Sequence, residues 1–378
     1  MGWLKVIVLG AGKIGSVIAK DFSKREAGLT LGDISIDRAK EAAAEVDGDS
    51  LVFDTSNYDQ MVETISDYDL VIGALPGDYG YRALEACTDA GKDIVDVSFT
   101  PEDPLELDND AKRSNVTIIP DCGVAPGLSN LLVGYGASML DTIEKAVIMV
   151  GGIPEKKVPP LDYTITWSAD GLIDEYIRDV SIVKDGELVK VPALSGLEKI
   201  EFPGVGTLEA FYTDGLRSLV KSLPDVKNLY EKTLRYPGHV EKVKLLRELG
   251  FFSEDSLAVG GSEVVPKFVS ARIFENSLTM PDIGDLLAMQ VQVSGQKDGE
   301  SCGYSFHVLE YYDHEAEVSA MARTTAYTAS IVAGILGEGG IRKKGVIPME
   351  SIGKDHDLVK KIIRELGKRY VEVKEKKI

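Results

Sequence analysis

From residue 4 to about residue 120 the chain alternates short apolar runs with amphipathic stretches. The runs at 4–9, 28–33, 51–53, 70–74, 94–97 and 116–119 have strand length and no polar face, the pattern of parallel strands buried on both sides. Between them apolar positions recur at helical spacing over 14–24, 36–46, 58–65, 81–90 and 104–113, and Gly, Asp, Asn or Pro marks each break. Parallel neighbours need crossovers, and crossovers cover both faces of a sheet. Six such strands therefore predict an α/β unit, a doubly wound parallel sheet, over residues 1–125.

Past Pro126-Gly127 the texture changes. A helix is predicted from Leu128 to about Leu140, after which strands dominate at 146–152, 162–167, 181–184, 188–191, 207–213 and 229–235. Helical patterns at 171–178 and 240–249 interrupt them, and 290–295 with 304–312 reads as a hairpin around Gln296-Lys297-Asp298-Gly299-Glu300. Residues 126–316 are expected to form an inserted α+β domain that serves substrate binding and dimerisation. Residues 317–378 are expected to form a C-terminal helical segment, with helices at 317–336 and 355–369, that returns to the first domain and ends in a frayed Lys374–Lys377 tail.

Composition narrows the partners. Sixty-one acidic against 42 basic residues give a net charge of −19, which repels nucleic acid and anionic membranes but tolerates a substrate carrying ammonium groups. Cys87, Cys122 and Cys302 are an odd number with no close pair, and the four histidines are spread out, so neither a disulfide framework nor a metal site is expected. The start, Met1-Gly2-Trp3-Leu4-Lys5-Val6, lacks the basic segment and cleavage site of a signal peptide, and no apolar run is long enough for a bilayer. A cytoplasmic location is the expectation.

Gly10-Ala11-Gly12-Lys13-Ile14-Gly15 follows the first predicted strand and opens a helix, the context in which G-x-G-x-x-G binds a dinucleotide. The first glycine serves a tight turn, the second the approach of a pyrophosphate, and the third the packing of helix on strand. Asp33 ends the second strand, 23 residues after Gly10, where a carboxylate accepts the ribose hydroxyls and repels a 2′-phosphate. The cofactor expected is NAD, although Ser35 and Arg38 just beyond could hold a phosphate. Asp54 and Thr55 follow the third strand, with Asp54 either reaching the adenine or capping a helix. Leu75 and Pro76 follow the fourth, where backbone runs close to a nicotinamide ribose.

The next strand ends carry Asp96, Ser98, Asp121, Cys122 and Asn130, which on such a sheet face the reactive ring. Capping competes for Asp96, and Cys122 suits a small packed wall better than a nucleophile. In Thr233-Leu234-Arg235-Tyr236-Pro237-Gly238-His239, Arg235 can hold a carboxylate bidentately with help from Tyr236, and His239 can carry a proton near neutrality. Trp167 begins a segment that mixes an aromatic wall with Asp170, Asp174 and Glu175, suited to an ammonium group or simply to capping and solvation.

The glycine fingerprint, Cys122-Gly123-x-x-Pro126-Gly127, the Thr233–His239 segment and Gly345-Val346-Ile347-Pro348 together resemble the saccharopine dehydrogenase-like family over nearly the whole chain. Within it the sequence is most similar to the lysine 6-dehydrogenases. These oxidise the ε-amine of L-lysine with NAD to 2-aminoadipate 6-semialdehyde, which cyclises to piperideine carboxylate. The resemblance implies a Rossmann domain, an inserted domain, a C-terminal return and a homodimer. Saccharopine reductases typically carry Asp where this chain has Ala125 and a bulky apolar residue where His239 stands, which disfavours their larger substrate; carboxynorspermidine dehydrogenases share the scaffold and stay open. An ε-amine with a pKa near 10.4 needs a base to become neutral, and His239 is the first candidate, with Asp96 or Asp121 second. Arg235 with Tyr236 would take the α-carboxylate, Ser98 and Asn130 would orient amine or water, and Trp167 would form a wall. A rival of another class is a non-catalytic NAD-responsive regulator, against which the acidic balance and the lack of a DNA-binding module count.

Overall fold

The computed structural model describes residues 4–378, so the opening Met1-Gly2-Trp3 lies outside the described residues. The chain divides into two compact units, one running to Ser138 and including Ala322–Val371, the other comprising Met139–Met321 and Glu372–Ile378.

The first unit is built on a seven-stranded parallel sheet in the order Gly345–Val346, Thr117–Ile119, Asp93–Asp96, Leu70–Gly73, Leu4–Leu9, Ala27–Asp33, Asp49–Val52. Six of these are the apolar runs of the sequence, each within about two residues of its predicted bounds. The chain starts in the middle, lays two strands to one side, then returns to the other side of Leu4–Leu9. That reversal is the point at which ligands bind on doubly wound sheets. Ile7, Leu9, Val71, Ile94 and Ile118 pack with Met61, Ile65, Leu84 and Leu107 in one buried cluster, which is why these runs carry no polar face.

The helix Leu128–Ser138 belongs to this unit rather than to the second, where residues from 126 onward were expected. Its residues from Leu128 to Ala137 are all buried. Gly134 explains the fit, since a Cβ there would stand 2.1 Å from the Glu350 carbonyl oxygen of the short helix Met349–Ile352.

The second unit is a largely antiparallel nine-stranded sheet with Glu198–Phe202, Gly206–Tyr212, Asn228–Arg235, Thr142–Pro154, Asp285–Lys297, Glu300–Tyr311 and Lys374–Lys377 in order, and two further strands, Val180–Lys184 and Glu187–Val191, reached through Asn228–Arg235. The predicted hairpin turns on Asp298-Gly299, both at positive φ (53° and 80°), the two-residue connection that matches strand twist. Two expectations fail here. Residues 162–167 are irregular, with Asp162 at φ 54° and Ile165 tied to the Leu278 carbonyl, so they form no strand. The Lys374–Lys377 tail is not frayed but pairs antiparallel with Glu300–Tyr311, its exposed charges suiting a sheet edge.

Candidate functional site

The glycine turn departs from Leu4–Leu9 and enters the helix Lys13–Phe22. Gly10 takes φ 97°, donates its N–H to the Gly32 carbonyl at 2.7 Å, and would place a Cβ 2.4 Å from the Ala74 carbonyl oxygen. At Gly15 a Cβ would fall 1.8 Å from the Gly10 carbonyl oxygen. Gly12 differs: it caps the helix, is exposed, and a Cβ there would meet nothing within 4 Å. The first and third glycines thus close the turn upon itself while the second leaves its outer side open, beside the unpaired N–H groups of a helix start where Lys13 is exposed and Ile14 half-buried.

Asp33 pins the same turn from the neighbouring strand. One carboxylate oxygen accepts the Ala11 N–H at 2.9 Å; the other accepts the Ser35 N–H at 2.8 Å and the Arg38 guanidinium at 2.8 Å. Burial alone would raise this carboxyl, yet the hydrogen bonds from Arg38, Ser35 and Ala11 hold it below the usual carboxylate range. An ionised acceptor, an open glycine and a helix N-terminus in one turn fit a dinucleotide.

Sheet order sets the other residues of this unit in a row along the carboxyl ends of the strands: Asp54, Asp33, Gly10–Gly12, Leu75, Asp96, Asp121. Asp54 accepts the Ser56 N–H at 2.8 Å, with half-buried Thr55 between them, and Asn57 rather than Asp54 caps the following helix. Exposed Pro76 caps the helix Gly77–Ala90. Asp96 is 1% exposed and sits over Gly73, where a Cβ would be 2.0 Å from its oxygen. Its carboxylate accepts the Ser98 N–H at 3.0 Å, and the Ser98 hydroxyl lies 2.9 Å from it and 3.0 Å from the Leu75 carbonyl. The structure therefore brings Leu75, Asp96 and Ser98 together. Asp121 follows its strand at φ 51° and is buried.

Two expected substrate contacts in this unit have other duties. Cys122 is fully buried with its Sγ 3.5 Å from Met349 Sδ, and burial pushes its thiol well above the ordinary range, so it is a core residue. Asn130 is buried and accepts the Gly127 N–H at 3.3 Å and the Ser129 hydroxyl at 2.9 Å, which closes the turn in which Gly127 lies against Gly123.

In the second unit, Glu231, Thr233 and Arg235 share one face of the strand Asn228–Arg235, and all three are buried. Arg235 donates to Glu175 at 3.0 Å and to the Leu234 carbonyl at 2.9 Å, and its guanidinium stands 4.6 Å over the Tyr163 ring. Tyr236 points the other way, into a cluster with Ile153, Phe202 and Leu286, and donates its hydroxyl to the Pro154 carbonyl at 2.9 Å. Arg235 and Tyr236 therefore do not form the joint carboxylate clamp the sequence suggested, because successive residues of an extended chain face opposite sides.

His239 is fully buried. A carbonyl only accepts, so Nδ1 carries the hydrogen and donates to Leu161 at 2.9 Å; Nε2, 2.9 Å from the Tyr176 hydroxyl, accepts from it. Burial, followed by the nearby Arg235 charge, pulls the imidazole down to about 3. This geometry makes His239 a neutral anchor for Tyr176 and ill suited to carry a proton near neutrality. Replacing His239 with alanine is expected to cost about 2–4 kcal/mol of stability at pH 7.5, since a cavity opens and two buried polar groups lose their partner. The penalty should shrink by roughly 1.4 kcal/mol per pH unit below 6.5, because only the wild type must keep an imidazole neutral that the unfolded chain protonates. Denaturant unfolding at pH 7.5 and 5.5 measures both; a constant penalty would contradict this.

Trp167 is 42% exposed and lies on Gly171, where a Cβ would stand 2.3 Å from the ring, so the wall it was expected to provide is solvent-accessible. Sequence reasoning missed Tyr163, Tyr176 and Glu231. Burial first, then Glu175 and Asp214, pushes the Glu231 carboxyl up to about 8, and Gly215 makes room for it, a Cβ there falling 2.0 Å from Oε1. An acidic residue two and four positions before Thr233 and Arg235 was the available signal.

The sheet order and the glycine turn define a Rossmann-type, dinucleotide-binding class of fold. Residues 6–119 match the saccharopine dehydrogenase NADP binding domain and residues 123–371 the saccharopine dehydrogenase C-terminal domain, and the chain belongs to the saccharopine dehydrogenase family. It is 24% identical over 291 residues to the saccharopine dehydrogenase (NADP(+), L-glutamate-forming) of Pyricularia oryzae, a stretch covering 72% of this chain and 64% of that protein. It is 25% identical over 267 residues to the mitochondrial alpha-aminoadipic semialdehyde synthase of Rattus norvegicus, covering 67% of this chain and 29% of that protein. The chain thus spans less than two thirds of these curated relatives. The solved structure of apo saccharopine dehydrogenase (L-Glu forming) from Saccharomyces cerevisiae superposes with a TM-score of 0.84 at 17% identity, over 99% of this chain and 100% of that one. Among the described residues no helix is long and apolar enough to cross a membrane, and no group of three or more His, Cys, Asp or Glu side chains is placed to hold a metal ion.

Proposed function

We propose that this chain is a nicotinamide-dependent oxidoreductase acting on a lysine-derived amine, and specifically that it oxidises the ε-amine of L-lysine with NAD. The observation that carries the reading is the ionised Asp33 carboxylate beside the open Gly12 turn, an acceptor for ribose hydroxyls. The Gly10–Gly15 turn would hold the pyrophosphate, with Asp54, Thr55, Leu75 and Pro76 further along the strand ends. When bound, the nicotinamide accepts a hydride from the carbon beside nitrogen.

The chain's own part is protonic and positional. The ε-ammonium loses a proton before its carbon can release hydride, and Asp96, with Asp121 second, is the base we assign. The Ser98 hydroxyl, held between Asp96 and Leu75, orients the amine. The oxidised carbon–nitrogen bond then takes up water and releases ammonia, leaving the aldehyde. Ala125, where saccharopine reductases typically carry Asp, supports lysine over the two-ended substrate. Homodimeric assembly and a cytoplasmic location complete the reading.

A second reading, NADP in place of NAD, is favoured by Arg38 and by the NADP named for the relatives. The test is reduced-cofactor formation with lysine, saccharopine and a carboxylated polyamine in parallel, each with NAD and NADP, and with ammonia scored. Lysine with NAD, yielding equimolar ammonia, is the expected result. Turnover of saccharopine alone would overturn the substrate, and a nucleotide-dependent change in oligomer size without turnover would favour a regulator.

A further inference from the structure

The strand Asn228–Arg235 sends Glu231 and Lys232 to opposite faces of the second unit's sheet, and only one of the two is satisfied. Lys232 donates its Nζ to the Glu198 carboxylate at 2.5 Å and to the Gly196 carbonyl at 2.6 Å. Glu231 is 5% exposed, yet its Oε2 is buried without a hydrogen-bond partner. A carboxyl stripped of water ordinarily has a donor or a cation beside it. Arg235, on the same face, is committed to Glu175, and the two charged side chains that act on Glu231, Glu175 and Asp214, are themselves acidic.

The surroundings are shaped for this carboxyl. A Cβ at position 215 would stand 2.0 Å from Oε1 and 2.5 Å from Oε2, so Gly215 is what leaves the group where it lies. On the same face the Thr213 and Thr233 hydroxyls sit 3.0 Å apart, and the Thr213 N–H donates to the Glu231 main-chain carbonyl at 3.3 Å. Carboxylate and hydroxyl oxygens are the acceptors that the three N–H donors of an ammonium group require. Burial, reinforced by Glu175 and Asp214, keeps Glu231 protonated at neutral pH, so it stands as a neutral acid until a positive group arrives.

We infer that the missing partner is the α-ammonium of the substrate, and that Glu231 is a specificity-determining residue which selects an α-amino acid over an amine that lacks this group. The inference rests on the lysine reading proposed above and adds the recognition of the end that is not oxidised. The ε-amine gives up its proton before hydride leaves, whereas the α-ammonium stays charged, and a charged partner is what a buried acid needs in order to ionise. Binding then moves one proton. The Glu231 carboxyl releases it to solvent as the ammonium takes its place, so the interior gains an ion pair and a single net charge is never left bare.

Lysine and 6-aminohexanoate, which differ only in the α-ammonium, test this by calorimetric titration of the full chain at pH 7 in two buffers of different ionisation enthalpy. The wild type should bind lysine on the order of 100-fold more tightly and release about one proton more with it. Glu231→Gln should weaken lysine binding on the order of 100-fold, leave 6-aminohexanoate unchanged and abolish the extra proton. In turnover it should raise KM with kcat nearly unchanged, a split that a merely structural residue would not give. Its melting temperature should be no lower than that of the wild type, because the group removed has no partner to lose. Gly215→Ala keeps the acid but pushes it aside, and should by itself weaken lysine binding on the order of 10-fold. Lysine affinity equal in the wild type and both variants, or equal proton release with the two ligands, would overturn the inference and leave the oxidoreductase reading standing. A wild type that binds no lysine would overturn the lysine reading itself, and the inference with it.

Discussion

Replacing Gly15 with alanine is expected to weaken dinucleotide binding on the order of 100-fold and to lower thermal stability at the same time. The added methyl would stand 1.8 Å from the Gly10 carbonyl oxygen, backbone against which no side chain can yield. The turn must therefore open, which moves the helix start away from the strand and misaims its N–H groups. Gly12→Ala separates the two effects. Its Cβ meets nothing of the protein within 4 Å, so the melting temperature should hold while binding falls, because the methyl occupies the side of the turn that a pyrophosphate approaches. Calorimetric titration and thermal unfolding of both variants measure this. Equal stability loss in both would mean that Gly12 serves packing alone, and unchanged binding in both would remove the turn from the site.

Replacing Asp33 with alanine is expected to lower NAD efficiency and to shift the NAD-to-NADP ratio of kcat/KM by about 100-fold toward NADP. Two causes act in the same direction. The ribose hydroxyls lose an ionised acceptor, and Arg38, now tied to Asp33 at 2.8 Å, is released toward a 2′-phosphate. An unchanged ratio would reduce Asp33 to a pin for Ala11 and Ser35. A wild type that already prefers NADP would establish the second cofactor reading.

The first unit was legible because burial on both faces leaves an unbroken apolar run, and because a glycine fingerprint needs only its flanking strand and helix to be interpretable. The second unit was less so. Glu198–Phe202 and Lys374–Lys377 lie at sheet edges where charge masks the alternation, and Pro266–Leu278 has apolar residues on every side and no side-chain cap to mark its start. Residues 162–167 have strand composition but take an irregular path past Leu278. The role of His239 could not be read locally, since its partner Tyr176 lies 63 residues away in sequence. The opposed directions of Arg235 and Tyr236, by contrast, follow from the period of a strand and were open to inference.

The measurement that bears most directly on the central claim is calorimetric titration of the wild-type chain with NAD and, separately, NADP. One site per chain, tighter for NAD and lost in Gly12→Ala, is the predicted result. Absence of binding heat with either nucleotide, or uptake indifferent to that substitution, would contradict it.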